Sequence, residues 1–263
     1  VIEATNAQNQ IKQSQDTKKL VSFRDEVLEG KENKQVLKNT NKYFKASHIG
    51  CDETGSADFF GPLCVVACYI DKRDTEWLHS IGIQDPKSLS DLEVMEMARK
   101  IKDRVIYSLL ILDNSHYNQM ADEGFNLANI KAKIYNQAVT NVMQRLQMPV
   151  KHKVITQFVS PKTYYNYLKD EVIVVKDLIF HQKGEEEYLA IVCSDILSRY
   201  AYLQYFTNMS KSLKMKLPRG TSVSVEHTAV EIASKYGVKM LTKVTKTNMT
   251  NYKRVKDLLQ KQS

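Results

Sequence analysis

Five short apolar runs, interleaved with helical patterns, constrain the fold of this chain more than any other feature. Residues 46–52, 63–70 and 105–113 are strand-like runs, and two shorter ones follow at 153–158 and 171–176. Amphipathic patterns fill the gaps. Residues 90–102 carry Asp91 and Glu93 in the first turn and Lys100 and Lys102 in the last, the polarity a helix dipole prefers. Residues 126–147 set Ile130, Ile134, Val139, Val142 and Leu146 on one broad apolar stripe. Ser160-Pro161 opens a short helix through Leu168, with proline near the first helical position. Residues 185–206 are apolar along one side, and 222–236 stop at Gly237, a suitable C-terminal glycine. Three strands close together, followed by strand and helix in alternation, predict an α/β fold: a mixed five-stranded sheet flanked by helices.

The chain has 263 residues, 43% of them hydrophobic, enough for one large core or a core domain with a small appendage. Residues 1–46 differ from the rest, being dominated by Lys, Gln, Asn and Glu. Leu20, Val21, Phe23, Val27 and Leu28 keep a helical spacing there, so this arm reads as a short amphipathic helix or as a solvated tail. No run of eighteen apolar residues occurs, which excludes a transmembrane helix, and residues 1–15 lack an apolar secretory core. The four cysteines, Cys51, Cys64, Cys68 and Cys193, form no CxxC pair. They read as buried free thiols in a reducing cytoplasm, not as a zinc site. The net charge of +8 suits a polyanionic partner such as nucleic acid, although a lysine-rich proteome gives the same balance. Trp77 reads as core.

The chemistry concentrates at the end of the first run, where Asp52 and Glu53 stand side by side before the turn Gly55, Ser56, Ala57. The carboxyl ends of strands are where α/β sheets place their ligands. Side chains alternate along a strand, so one acid would face the cleft from the strand and the other from the turn. Acidic oxygens there suit Mg²⁺ or Mn²⁺. Two solvated acids in a polar hairpin would leave the same local signature.

The longer stretch from His48 to Pro62 resembles the opening motif of the type 3 ribonuclease H family, G-S-D-E-V-G-T-G-D-Y-F-G-P. Further matches follow in the family's order: Asp85-Pro86-Lys87-Ser88-Leu89-Ser90-Asp91; Tyr117-Asn118, with Asn126, Lys131-Ala132 and Asn136; Gln157-Phe158-Val159-Ser160-Pro161; Phe180 to Glu185; Ile196 to Tyr200; and Leu217-Pro218-Arg219-Gly220. The resemblance spans residues 47 to about 255. It implies a ribonuclease H-like domain over 47–263, with 1–46 as a polar arm or the remnant of a substrate-binding domain.

The resemblance also implies a monomeric cytoplasmic endonuclease that cuts the RNA strand of RNA/DNA hybrids with two Mg²⁺ or Mn²⁺ ions. Asp52, Glu53 and Glu185 match three of the family's four carboxylates and are the expected catalytic and metal-binding residues. Asp52 would bridge the ions, Glu53 would ligate the one beside the scissile phosphate, and Glu185 would hold the one carrying the attacking water. Gly55, Ser56, Ala57, Lys87, Asn126, Lys131, Asn136 and Arg219 are the expected nucleic-acid contacts. The fourth carboxylate position is Thr156, a poorer ligand. Asp195 stands where the family has Ser. On a helix running from Glu185 it would lie about 15 Å away along the axis, too far to compensate. Ala57 replaces a glycine, and carries a penalty if the turn needs positive φ there. Pro86, Ala128, Tyr135 and Asn248 are further departures. The alternative function is therefore a catalytically impaired member that binds hybrids without cleaving them.

Overall fold

The structure, a computed structural model, describes residues 43–261. The expected helix over Leu20–Leu28 lies outside them. Five strands form the sheet: β1 (His48–Thr54), β2 (Leu63–Ile70), β3 (Ile106–Leu112), β4 (His152–Thr156) and β5 (Leu178–His181). Their order is β3-β2-β1-β4-β5. β2 runs antiparallel to both β1 and β3, whereas β4 pairs parallel with β1 and β5 parallel with β4. This is the expected mixed five-stranded sheet with helices on both faces.

Among the described residues nine α-helices follow: α1 (Thr75–Ser80), α2 (Asp91–Ile101), α3 (Asn114–Asp122), α4 (Leu127–Leu146), α5 (Pro161–Tyr167), α6 (Leu189–Leu213), α7 (Val223–Tyr236), α8 (Val238–Val244) and α9 (Thr250–Gln260). Ser90 caps α2 through a complete capping box with Glu93. Asn126 caps α4, accepting from the Asn129 N–H at 2.9 Å.

Trp77, expected in the core, is only half-buried, with the Arg104 guanidinium over its ring. Two of the expected elements also need correction. Residues 171–176 do not form a strand; the fifth strand is Leu178–His181. Asn136 on α4 is the physical reason. Its Nδ2 donates to the Ile173 carbonyl at 2.7 Å and its Oδ1 accepts from the Val175 N–H at 2.9 Å. One side chain thus satisfies backbone groups that would otherwise seek a ladder. The second correction concerns the helix expected from residue 185. Glu185 sits in a separate 3₁₀ turn, Gly184–Glu186, and α6 begins only at Leu189. Glu187 and Tyr188, at φ −130° and −119°, break the path between them.

The sheet divides the apolar residues into two layers. Ile49, Cys51 and Ile155 face α4 and α5, packing with Tyr135, Val139 and Tyr164. The other face receives α6, whose serine and alanine positions let it lie close. Ser194 Oγ donates to the Gly50 carbonyl at 3.0 Å, and the Thr54 and Ser198 hydroxyls meet at 2.8 Å. Further along, α6 packs with α7–α9 around Phe59, Phe60, Phe206 and Val255. All four cysteines are buried free thiols, as expected.

Lys246 is fully buried, although it carries a charge. Its ammonium donates to the carbonyls of Asp58 and Gly61 at 2.7 and 2.8 Å, and its backbone N–H donates to Phe59. Burial lowers its pKa to about 8. The segment before α9 therefore holds the turn that follows β1.

His48 joins β1 to the start of α6. Its Nδ1 donates to the Ala46 carbonyl at 2.8 Å and its Nε2 accepts the Ala190 N–H at 3.1 Å, a pattern that only the neutral ring can complete. Burial lowers its pKa to about 4. The unfolded ring titrates near 6.5, so the stability that neutral His48 contributes is complete above that pH. It drains away between 6.5 and 4, by about 3 kcal/mol. Urea unfolding at pH 7 and pH 4 should show this loss. In His48→Gln the acid dependence should flatten by a similar amount, and an unchanged difference between the two pH values would refute the assignment.

Candidate active site

The parallel register pairs Cys51 of β1 with Ile155 of β4. Asp52 and Thr156 come next, at the carboxyl ends of adjacent central strands and on the face that receives α6. Glu53 points to the opposite face. There it forms an ion pair with Lys131 and accepts a hydrogen bond from the Tyr135 hydroxyl, both on α4. Both acids belong to the strand, since β1 runs on to Thr54; the expectation that one would project from the turn is corrected. Asp52 is 9% exposed, and its Oδ1 accepts the Glu53 N–H at 2.8 Å.

Glu185 reaches the same neighbourhood from the 3₁₀ turn before α6. It is buried and ion-paired with Lys87. Lys87 comes from a loop held at both ends. Asp85 accepts the Lys87 backbone N–H at 2.9 Å. Arg199 of α6 donates to the carbonyls of Pro86 and Leu89 at 3.2 and 3.0 Å, and to Asp91 at 2.6 Å. Pro86 opens a 3₁₀ turn, a position that suits its fixed φ.

A cleft of about 320 Å³ lies between these parts. Glu53, the turn at residues 55–58, Pro86, Lys87, Asp195 and Arg199 line it. Gly55 adopts φ +92° with the Pro62 carbonyl and the Tyr202 ring packed against it. Ala57 has no positive φ; the left-handed positions nearby are Gly55 and Gly61. The expected alanine penalty therefore does not arise.

The electrostatics are those of acids crowded together. Burial pushes Asp52 well above the usual carboxylate range, and the charges of Glu53 and Asp195 push it further. The hydrogen bond from the Glu53 N–H offsets part of this. Asp195 is pushed up to about 6, mainly by burial, with Arg199 opposing and Glu185 adding. For Glu185, burial raises the pKa, but the hydrogen bonds and charge of Lys87 reverse this and leave it below the usual range.

These residues fit a hard divalent ion by donor chemistry, since every candidate donor is an oxygen. The ammonium groups of Lys87 and Lys131 already place positive charge against Glu185 and Glu53. Lysine pairing also draws these two acids aside, and among the described residues no three acidic or imidazole groups yet converge on one point. The Thr156 hydroxyl is buried and completes no hydrogen bond.

The remaining expected contacts are placed as follows. Lys131 is buried, with its ammonium 4.0 Å from the Phe158 ring centroid. Asn126 caps α4, and Asn136 is 4% exposed and spends its amide on residues 173–175. Arg219 pairs with Asp91 beside the Arg199-held loop. Sequence reasoning did not assign Asp195, Tyr135 or Arg199 to the site. The first two were visible as departures from the motif, but nothing in the spacing showed what they face.

Comparison with known proteins bears on the family and the fold. The family model described as Ribonuclease HII matches residues 49–252. Ribonuclease HIII of Bacillus mycoides is 36% identical over 218 residues, covering 82% of this chain and 70% of the relative. Ribonuclease HIII of Listeria monocytogenes is 37% identical over 216 residues, covering 81% and 70%. The crystal structure of Bst-RNase HIII in complex with Mn²⁺ superposes with a TM-score of 0.79 at 25% identity, covering 86% of this chain and 74% of that one. Ribonuclease H2 from Pyrococcus horikoshii shares the fold, with a TM-score of 0.68 at 16% identity over 82% of this chain and 99% of that one. The chain belongs to the ribonuclease HII family, on its type 3 branch.

Proposed function

We propose that this chain hydrolyses the RNA strand of RNA/DNA hybrids, with residues 47–263 as the catalytic unit and Mn²⁺ or Mg²⁺ as the ion. The observation that carries this reading is the cleft at the tip of β1 and the acids around it. Glu53 lines the cleft beside the glycine turn at 55–58, Asp52 is its neighbour on β1, and Glu185 is ion-paired with Lys87, another lining residue. The names of the relatives and the Mn²⁺ complex of a structural neighbour support both the reaction and the ion. Four buried free thiols fit a reducing compartment, hence the cytoplasm.

Asp52, Glu53 and Glu185 would hold the divalent ions, whose chemistry is to activate water and to stabilise the departing 3′-oxygen. The protein's own groups do the rest. Gly55 has no room for a side chain, so the turn offers backbone groups to a ribose; the 2′-hydroxyl is what separates RNA from DNA at such a place. Lys87, with 69% of its side chain exposed, and Arg219, at 47%, would contact phosphate. Tyr135 and Lys131 hold Glu53 in position from α4. The binding-only reading rested on Thr156 and Ala57, and Ala57 carries no backbone penalty.

The test is cleavage of a labelled RNA/DNA hybrid by the full chain with Mn²⁺ or Mg²⁺. RNA fragments that disappear when the ions are chelated are expected. Intact RNA with either ion, from folded protein that still binds the hybrid, would support the binding-only reading instead.

A further inference from the structure

We propose that Asp195 supplies the acidic oxygen that Thr156 cannot, so that helix α6, not strand β4, completes the cation site. The inference rests on the proposed metal-dependent cleavage. Thr156 occupies the end of β4 beside Asp52, where its hydroxyl is buried without a hydrogen bond. A neutral oxygen there leaves the acids of β1 without a charged neighbour on the adjacent strand.

Helix α6 crosses behind these positions. Its Ser198 hydroxyl meets Thr54 at 2.8 Å. Asp195 precedes Ser198 by three residues, about 4.5 Å along the helix axis. On the strand that displacement corresponds to between one and two residues before Thr54, the level of Asp52 and Glu53. Asp195 lines the cleft together with Glu53 and Lys87. It lies in electrostatic reach of both Asp52 and Glu185. Because Glu185 stands in its own turn and α6 begins at Leu189, the 15 Å separation expected on one continuous helix does not apply.

The Asp195 carboxylate forms no hydrogen bond or ion pair among the described residues. Its neighbour Arg199 is occupied by Pro86, Leu89 and Asp91. Glu53 and Glu185, by contrast, each hold a lysine. A partly buried carboxylate without a partner is costly, and a divalent ion shared with Asp52 satisfies it.

Calorimetric titration of the full chain with Mn²⁺ tests the assignment, using wild type, Asp195→Asn and the double variant Asp195→Asn/Thr156→Asp. Circular dichroism checks that each is folded, and Asp195→Ser replaces Asp195→Asn should the latter not fold. Asp195→Asn is expected to bind Mn²⁺ at least about tenfold more weakly. The double variant, which returns a carboxylate to β4, should recover most of that loss. Wild-type affinity in Asp195→Asn, or a loss that Thr156→Asp does not restore, overturns the inference while leaving the proposed function standing. Absence of Mn²⁺ binding by wild type would overturn both.

Discussion

Asp52→Asn should lower hybrid cleavage by roughly 10³-fold or more and, at neutral pH, raise the melting temperature. The first effect follows from removing a carboxylate whose charge interacts with both Glu53 and Asp195 at the strand tip. The second follows from its surroundings. Asp52 is buried among acids and held well above its usual pKa, so its ionised form weakens the fold. Asparagine keeps the oxygen that accepts the Glu53 N–H but carries no charge. A gain of about 1 kcal/mol, or roughly 2–4 °C, is expected without added metal. The sign reverses the usual carboxylate case. An acid with a raised pKa destabilises increasingly as pH rises above its unfolded value, so the advantage of asparagine should fade as pH falls toward 4. Paired melting curves at pH 7 and pH 4 measure it. A variant that melts lower than wild type at pH 7 would contradict the crowding described here.

Gly50→Ala should destabilise the protein by about 3 kcal/mol and lower its melting temperature by roughly 6–12 °C. A methyl group at this position would stand 2.5 Å from the Ile191 backbone nitrogen and 2.8 Å from the Ala190 Cβ. The obstacle is helix backbone, which cannot rotate aside, so α6 must move away from β1 as a unit. That movement would break the Ser194 contact to the Gly50 carbonyl and draw Asp195 and Glu185 away from the strand tip. Differential scanning calorimetry and the cleavage assay should therefore fall together. A well-folded Gly50→Ala protein with unchanged melting would show that the approach of α6 is looser than described.

The layers of the fold were legible because periodicity is a local property. β2, α2, α4 and α7 stand where their apolar spacing placed them, within a residue or two. Residues 171–176 misled because their β-branched composition cannot reveal that Asn136, far away in sequence, would take up their backbone groups. α1, α3, α8 and α9 were not read; α8 is held by its packing against α3 and α7, which lie far from it or beyond a glycine break in the sequence. At the site, the acids of β1 and Glu185 were visible as a motif. The place of Asp195 was not, because one break at Glu187–Tyr188 decides whether it faces the acids, and no residue type there announces a break. The burial of Lys246 was not legible either, because its two carbonyl partners lie on a turn that the sequence does not place nearby.

That lysine has a consequence for how the protein comes into being. Its ammonium closes on carbonyls 188 and 185 positions earlier in the chain. Contacts of such long range form late, since the intervening polypeptide must already be ordered. During synthesis, at about 5–20 residues per second, the strand bearing the acids emerges early and waits for the segment that will brace its turn. It follows that the turn after the acid-bearing strand stays unbraced until the segment around Lys246, 188 positions after Asp58, has been made.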